Sequence, residues 1–228
     1  MNDEMNMNLS GSGTVPAGEY NEIAISGSGR LCGTVRCVSF SSSGSVKGET
    51  IVCSDRFKVS GSATFSGNIK SKRIAVSGSV KCGESVKCDD LSVSGAMKVG
   101  GDVEAETIMI HGAINCEGLL NAEDVEIKFD TGMQIGNIGG SKIVVFSKNP
   151  IKPIKRLSLF ASLCKSRIAT VAVTSSVEGD EIALEYVTCP RVTGRVVAIG
   201  GGCDIDLVQY SEIVEIHPDA KVGKTEKI

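Results

Sequence analysis

A glycine recurs at every seventeenth position through the first half of this chain of 228 residues, and no other feature constrains its fold as strongly. Five of the six glycines follow a serine, and the positions are Gly27, Gly44, Gly61, Gly78, Gly95 and Gly112. A strict period of this length is typical of solenoids, in which each repeat is one coil that packs only against its neighbours. The sequence therefore predicts a stack of coils.

The apolar residues of each repeat fall in pairs that are two positions apart. One repeat contains the pairs Ile74 and Val76, Val80 and Cys82, and Val86 and Cys88. This spacing places both members of a pair on one face of a strand, whereas a helix would repeat at i, i+3, i+4 and i+7. Three short strands separated by three corners form a triangular coil. We therefore predict an all-β parallel β-helix with triangular coils of about 17 residues. The glycines are expected to turn a corner with a positive φ.

The register of the repeat divides the chain into four segments. We predict a flexible N-terminus over residues 1–8 and a regular β-solenoid over residues 9–146. Pro150 and Pro153 would remove donors from the hydrogen-bond ladder, which predicts a break or linker over residues 147–156. Residues 157–228 are predicted to be irregular β-solenoid, either continuing the first stack or forming a second unit.

Composition argues against several classes of function. The net charge of −3 gives the chain no overall basic character, and we interpret the cluster of Lys70, Lys72 and Arg73 as a solvated edge, so we expect no nucleic-acid partner. No apolar run approaches the roughly 18 residues of a membrane span. The start of the chain lacks the basic and apolar regions of a secretory signal. The nine cysteines are odd in number and include no Cys-x-x-Cys pair, so we interpret them as reduced residues of a cytosolic protein and expect no metal site. Four of them lie in inward columns, where a free cysteine packs as a small apolar residue, and these are Cys37, Cys82, Cys88 and Cys116. The other five are less clearly placed.

Candidate catalytic residues are few. His111 and His217 are the only histidines, and both are expected at exposed corners without the oriented partner that a general base needs. The glycine-rich stretch at residues 136–140 lacks the Gly-Lys-Ser/Thr of a phosphate-binding loop. We therefore predict no catalytic residue and no cofactor.

The run "VSGSVKCGESVKCDDLSVSGAMKVGGDVEAETIMIHGAINCEG", with its coils of about seventeen residues and glycine-rich corners, resembles the bactofilins. The resemblance extends over roughly residues 23–125. Bactofilins are bacterial polymer-forming cytoskeletal proteins, and the resemblance implies a right-handed coil and nucleotide-independent assembly by end-to-end stacking. It also implies a cytoplasmic location, with a peripheral position at the inner face of the membrane. The implied partners are other copies of the chain and proteins of the cell envelope or membrane.

The ends of a solenoid present unpaired backbone groups that can template another chain. We hypothesise that the terminal coils form the assembly contacts, through Leu9, Ile23, Ile25, Val214, Ile216 and Val222. The sequence leaves the polarity of such a filament open.

Two alternative functions remain. One is a non-polymerising scaffold that binds a protein partner along a flat face of the solenoid. The other is a β-helix enzyme such as a hexapeptide-repeat acyltransferase. The coil of such an acyltransferase has three sides of six residues each, whereas the three sides of the repeat here have six, six and five residues.

Overall fold

The computed structural model describes residues 5–148 and 169–228, and this part of the chain is all-β without a helix. It forms a parallel β-solenoid of about 12 turns, with coils about 17 residues apart. The strands belong to one sheet that winds around the axis, and each strand pairs in parallel with strands of the preceding and following coils. The predicted fold class is confirmed.

Each coil has three sides, which we call A, B and C in chain order. Side A carries the strand of Ile23 and Ile25, side B that of Leu31, and side C that of Val35 and Cys37. Most strands occupy one side, and the longer ones continue around corners. In chain order the strands are β1 (Met5–Leu9), β2 (Ser12–Val15), β3 (Gly18–Ile25), β4 (Ser28–Leu31), β5 (Thr34–Ser42), β6 (Ser45–Gly48), β7 (Thr50–Val59), β8 (Ser62–Phe65), β9 (Ile69–Lys70), β10 (Arg73–Val76), β11 (Ser79–Cys82), β12 (Val86–Lys87), β13 (Asp90–Val93), β14 (Ala96–Val99), β15 (Val103–Glu104), β16 (Thr107–Ile110), β17 (Ala113–Phe129), β18 (Met133–Ser147), β19 (Val171–Val173), β20 (Ser176–Leu184), β21 (Val187–Ile199), β22 (Asp204–Ile216) and β23 (Lys221–Lys227).

The inward residues of side A form the ladder that the repeat predicts. Ile74 pairs with Phe57 in the coil before it and with Leu91 in the coil after it, and all three are buried. Phe40, Phe57, Phe65 and Phe129 are the largest fully buried side chains of the core. The rings of Phe40 and Phe57 stack with centroids 5.2 Å apart, and Phe65 meets Phe57 edge-on at 5.8 Å. Apolar burial between successive coils therefore holds the stack together.

One coil departs from the strict register on side C. Val35 pairs with Ile51, which in turn pairs with Ile69, so the spacing is sixteen residues and then eighteen. Ile51 and Cys53 are buried, and the neighbouring Val52 and Ser54 are not. A strict count of seventeen back from Ile69 and Ser71 predicts Val52 and Ser54 as inward residues. That prediction is wrong, because a shift of one residue turns every side chain of a strand to the opposite face.

The corner glycines are required for a reason other than the predicted one. In the described residues, Gly33 and Gly202 are the glycines with positive φ, at 65° and 74°, and none of the six corner glycines is among them. A Cβ placed on Gly78 would lie 1.9 Å from the carbonyl oxygen of Gly61 in the preceding coil. The other five corner glycines face similar contacts, at 1.9–2.1 Å. Glycine is needed at this corner because successive backbones approach too closely for any side chain.

The solenoid begins before the predicted boundary. β1 starts at Met5 and pairs with β3, placing Met7 opposite Ile23 and Leu9 opposite Ile25. Residues 5–8 are therefore a strand of the first coil, and the predicted boundary at residue 9 is wrong.

The C-terminal third continues the same stack. β18 pairs with β20 directly, with Ile143 opposite Ile182, although residues 148–175 separate them in sequence. Most of the predicted break at 147–156 lies outside the described residues. The next coil is shorter, since Ile182 pairs with Val197 fifteen residues on, and the spacing of seventeen returns between Val197 and Val214.

The corner contacts lead to a test of the fold. We expect Gly78→Ala to destabilise the solenoid by about 1–3 kcal/mol, the usual cost of forcing atoms into a packed region, because its Cβ would meet a carbonyl oxygen at 1.9 Å. Gly132→Ala is the matched control, since the atom nearest its Cβ position in the described structure is the carbonyl oxygen of Thr170, at an ordinary contact distance of 3.7 Å. Denaturant unfolding at high salt, which screens association through charged surfaces, would measure both. Equal stability of Gly78→Ala and wild type would contradict the close approach.

Candidate functional site at the ends of the solenoid

The N-terminal end of the solenoid is formed by β1 and β2 of the first coil. Leu9 is half-buried and turns its side chain towards Gly13, where an added Cβ would lie 2.6 Å from Leu9 Cδ1. Met5 is 56% exposed. Ile23 and Ile25, which were expected to form assembly contacts, are fully buried beneath β1. That expectation is wrong for these two residues, because residues 5–9 add the strand that covers them.

At the C-terminal end, the last coil is covered on two sides of the triangle. β23 pairs with residues 204–210 of β22, whereas no strand of the described chain follows residues 213–216 on side A. Ile213 is 52% exposed and Ile216 41% exposed. Val214 and Val222 are half-buried. The predicted residues Val214, Ile216 and Val222 thus lie at this end, and the sequence reading missed Ile213 beside them.

Gly11 repeats the corner glycine in the first coil. The backbone N–H of Ser28 donates to the carbonyl oxygen of Gly11 at 3.0 Å, as Ser45 does to Gly27 at 2.9 Å one coil later. A Cβ on Gly27 would lie 2.1 Å from the Gly11 carbonyl oxygen. At Gly11 itself, nothing in the described structure lies within 4 Å of the Cβ position. The first coil therefore presents an open corner of the shape that the interior coils use to receive a preceding coil.

His111 lies at the exposed corner where it was expected, but it does have an acidic neighbour. Its Nε2 lies 3.4 Å from Glu126 Oε1, and Lys128 Nζ lies 2.5 Å from the same oxygen. Hydrogen bonding to Lys128, aided by His111, holds the pKa of Glu126 below its usual range. Lys148 donates to the His111 carbonyl oxygen. Glu126 is thus contacted by the Lys128 ammonium group and by the His111 ring, as in a surface polar cluster.

His217 occupies a turn after β22. Its Nδ1 accepts a hydrogen bond from the backbone N–H of Asp219 at 3.1 Å. The ring therefore closes the local turn before β23, which is a structural role.

A shallow groove of about 350 Å³ lies on side A near the N-terminal end. Hydroxyl and apolar groups dominate its lining, which comprises Asn8, Leu9, Ser10, Ala24, Ile25, Ser26, Ser41, Ser42, Ser43, Lys58 and Ser60. The Ser42 hydroxyl is buried without a hydrogen-bond partner. These lining residues include no histidine or carboxylate that could activate a serine as a nucleophile.

The described cysteines are free, and all but Cys32 are buried. Burial raises the pKa of Cys88 to about 12 and that of Cys116 to about 11. Cys37 and Cys53 pair across adjacent coils with their sulfurs 3.4 Å apart. This contact, together with burial, raises the pKa of Cys53. Cys88 and Cys116 are therefore protonated packing groups near neutral pH, whereas the hydrogen bond to Cys53 lowers the pKa of Cys37.

Within residues 5–148 and 169–228, no group of three or more metal-binding side chains is arranged to hold an ion. The same residues include no helix long and apolar enough to cross a membrane. Neither a family model nor a curated protein nor a solved structure matches this sequence.

The burial of the cysteines predicts a simple labelling pattern. In a Cys164→Ser background, Cys32 should be the one thiol that reacts rapidly with a disulfide reagent in the native protein, because the other described cysteines are buried. All eight remaining thiols should react after denaturation. Adding Cys32→Ser should abolish the rapid phase. Several rapid thiols in the native protein would show that the coils open readily or pack differently.

Proposed function

We propose that this protein is a bactofilin-like structural protein whose copies stack end to end into filaments without a nucleotide, and that it is not an enzyme. The observation that carries the proposal is the open corner at Gly11, which has nothing within 4 Å of its Cβ position in the described structure. Its counterpart in the next coil, Gly27, receives a backbone carbonyl oxygen where its Cβ would be. An incoming coil of a second copy would place a carbonyl oxygen in the same position beside Gly11, where a side chain would leave no room for it.

The strand edges at both ends support stacking. An exposed β edge offers unpaired N–H and C=O groups to another chain, and side A at the C-terminal end leaves Ile213 and Ile216 exposed. Covering such side chains gains about 25 cal/mol for each Å² of apolar surface removed from water. The two ends also share their inward columns, because Met7 and Leu9 continue the ladder that ends at Val214 and Ile216. Head-to-tail stacking would thus extend the parallel ladder from one copy to the next.

The location and partners of the protein follow from its resemblance to bactofilins. We infer a cytoplasmic filament that lies peripherally at the inner face of the membrane. Proteins of the cell envelope or membrane would bind along its sides. No nucleic acid or cofactor takes part in this proposal.

The test compares wild type with variants at each end by negative-stain electron microscopy, in buffer without nucleotide. Wild type should form filaments, and Gly11→Val and Ile216→Lys should each eliminate long filaments while keeping the circular dichroism spectrum of the folded protein. Ser79→Val, at an exposed position in the middle of the rod, is the matched control and should still form filaments. Wild-type rods that stay short at every concentration would overturn self-assembly. Normal filaments from both end variants would overturn the assigned contacts.

The same variants report the polarity of the filament. At about 0.5 M salt, where the Debye length is below 10 Å and charged surfaces contribute little, the mass of Gly11→Val can be measured by light scattering. Head-to-tail stacking uses both ends in every joint, so this variant should be a monomer. Stacking of like ends would leave the C-terminal joint intact and give a dimer.

A further inference from the structure

The corner between sides C and A carries two adjacent blocks of opposite charge. The basic block lies on two successive coils and consists of Arg56, Lys58, Lys70, Lys72 and Arg73. The acidic block lies on the next three coils and consists of Asp89, Asp90, Glu106, Glu123 and Asp124. The sign changes between Lys72 and Asp89, which are neighbours in the stack because the N–H of Asp89 donates to the Lys72 carbonyl oxygen at 2.9 Å.

Few of these charges form a close ion pair within the described part of the chain. In the described structure the five carboxylates of the acidic block make no ion pair, and in the basic block Arg73 alone makes one, with Asp55. Other charges nearby are paired, such as Lys87 with Glu104 at 2.8 Å. The corner therefore concentrates charges that lack a close ion-pair partner. Opposite charges do lie across on the neighbouring strand in two places, since Arg73 is opposite Asp90 and Asp124 is opposite Lys142.

Stacking brings like charges together inside each block. The N–H of Glu106 donates to the Asp89 carbonyl oxygen at 2.9 Å, and that of Asp124 donates to Glu106 at 3.1 Å. Successive carboxylates are thus carried by strands about 4.8 Å apart, where like charges that face each other are destabilising. Counter-charges from outside the chain would relieve this repulsion.

A second copy that is related to the first by a two-fold axis would supply those counter-charges. If the axis is perpendicular to the rod and passes between the coils of Lys72 and Asp89, it reverses the order of the coils. Lys72 then faces Asp89 of the second copy, and Arg56 and Lys58 face its Glu106. The same contacts occur twice, as in any isologous pair.

We propose that two copies of this protein associate side by side and antiparallel along the corner between sides C and A, with the basic block of each against the acidic block of the other. This contact is separate from the end-to-end joint and uses none of its residues. Combined with end-to-end stacking it would produce ribbons two rods wide. Exposed ion pairs contribute about 0–1 kcal/mol each, so the association depends on the whole array and weakens as salt rises.

A charge exchange tests this contact in the Gly11→Val background, where end-to-end growth is blocked. The mass measured by light scattering should double when the salt concentration is lowered from about 0.5 M to about 0.05 M, since the Debye length grows severalfold. Lys72→Glu and Asp89→Lys should each prevent the doubling, and the double variant should restore it. Lys81→Glu, which makes the same charge change on side B, is the matched control and should leave the doubling unchanged.

Two results would overturn the proposal. One is a parent whose mass does not change with salt. The other is a folded double variant that fails to recover the doubling although both single variants lost it. Electron microscopy separates this contact from the end-to-end joint. Wild-type filaments one rod wide at low salt would support end-to-end stacking and exclude the lateral contact. Salt-dependent doubling of mass without filaments would support the lateral contact and exclude end-to-end stacking.

Discussion

The distance between successive backbones is the constraint on which the rest of this structure depends. Parallel strands that share hydrogen bonds lie about 4.8 Å apart, and each coil must keep this distance along its sides and also around its corners. At the corner of Gly44 the approach leaves no room for a Cβ, which would lie 1.9 Å from the Gly27 carbonyl oxygen. The recurring glycine is thus a consequence of stacking. It shows that the corner backbones, and not the apolar columns alone, determine how closely coils pack.

The same constraint shapes the two ends. A coil in the interior has a neighbour on both of its edges, whereas the first and last coils of the described structure keep the conformation of the repeat and have one neighbouring coil there. Gly11 and the side A edge at Ile213 and Ile216 show this at opposite ends of the rod. A fold that is built by adding coils has no intrinsic stopping point. The surface that would receive a further coil is therefore the natural place for assembly, and the proposed filament requires no dedicated interface.

Registered stacking also turns single residues into columns. An outward position that repeats every coil places its side chains in a row, so a short run of similar residues becomes an extended patch. Inward, this rule lines up Phe57 with Ile74 and gives a continuous core. Outward, it collects the carboxylates of Asp89, Glu106 and Glu123 along one corner. Core and charged surface thus arise from one periodicity, with alternate residues of each strand assigned to each.

By itself the sequence determined the fold class, the triangular coil and most of the inward columns. Apolar residues that lie two positions apart, within a repeat of seventeen residues, fit few folds other than a β-solenoid. It also located Val214 and Ile216 at an end. The pairing of strands between neighbouring coils decided the remaining features of the structure. The shift that buries Ile51 in place of Val52 depends on how two neighbouring coils align. Ile23 lost its expected exposure because β1 covers it, which depends on where the first strand pairs. Which charges stay unpaired, and whether an edge is covered, are properties of neighbouring coils, so the tertiary structure alone could decide them.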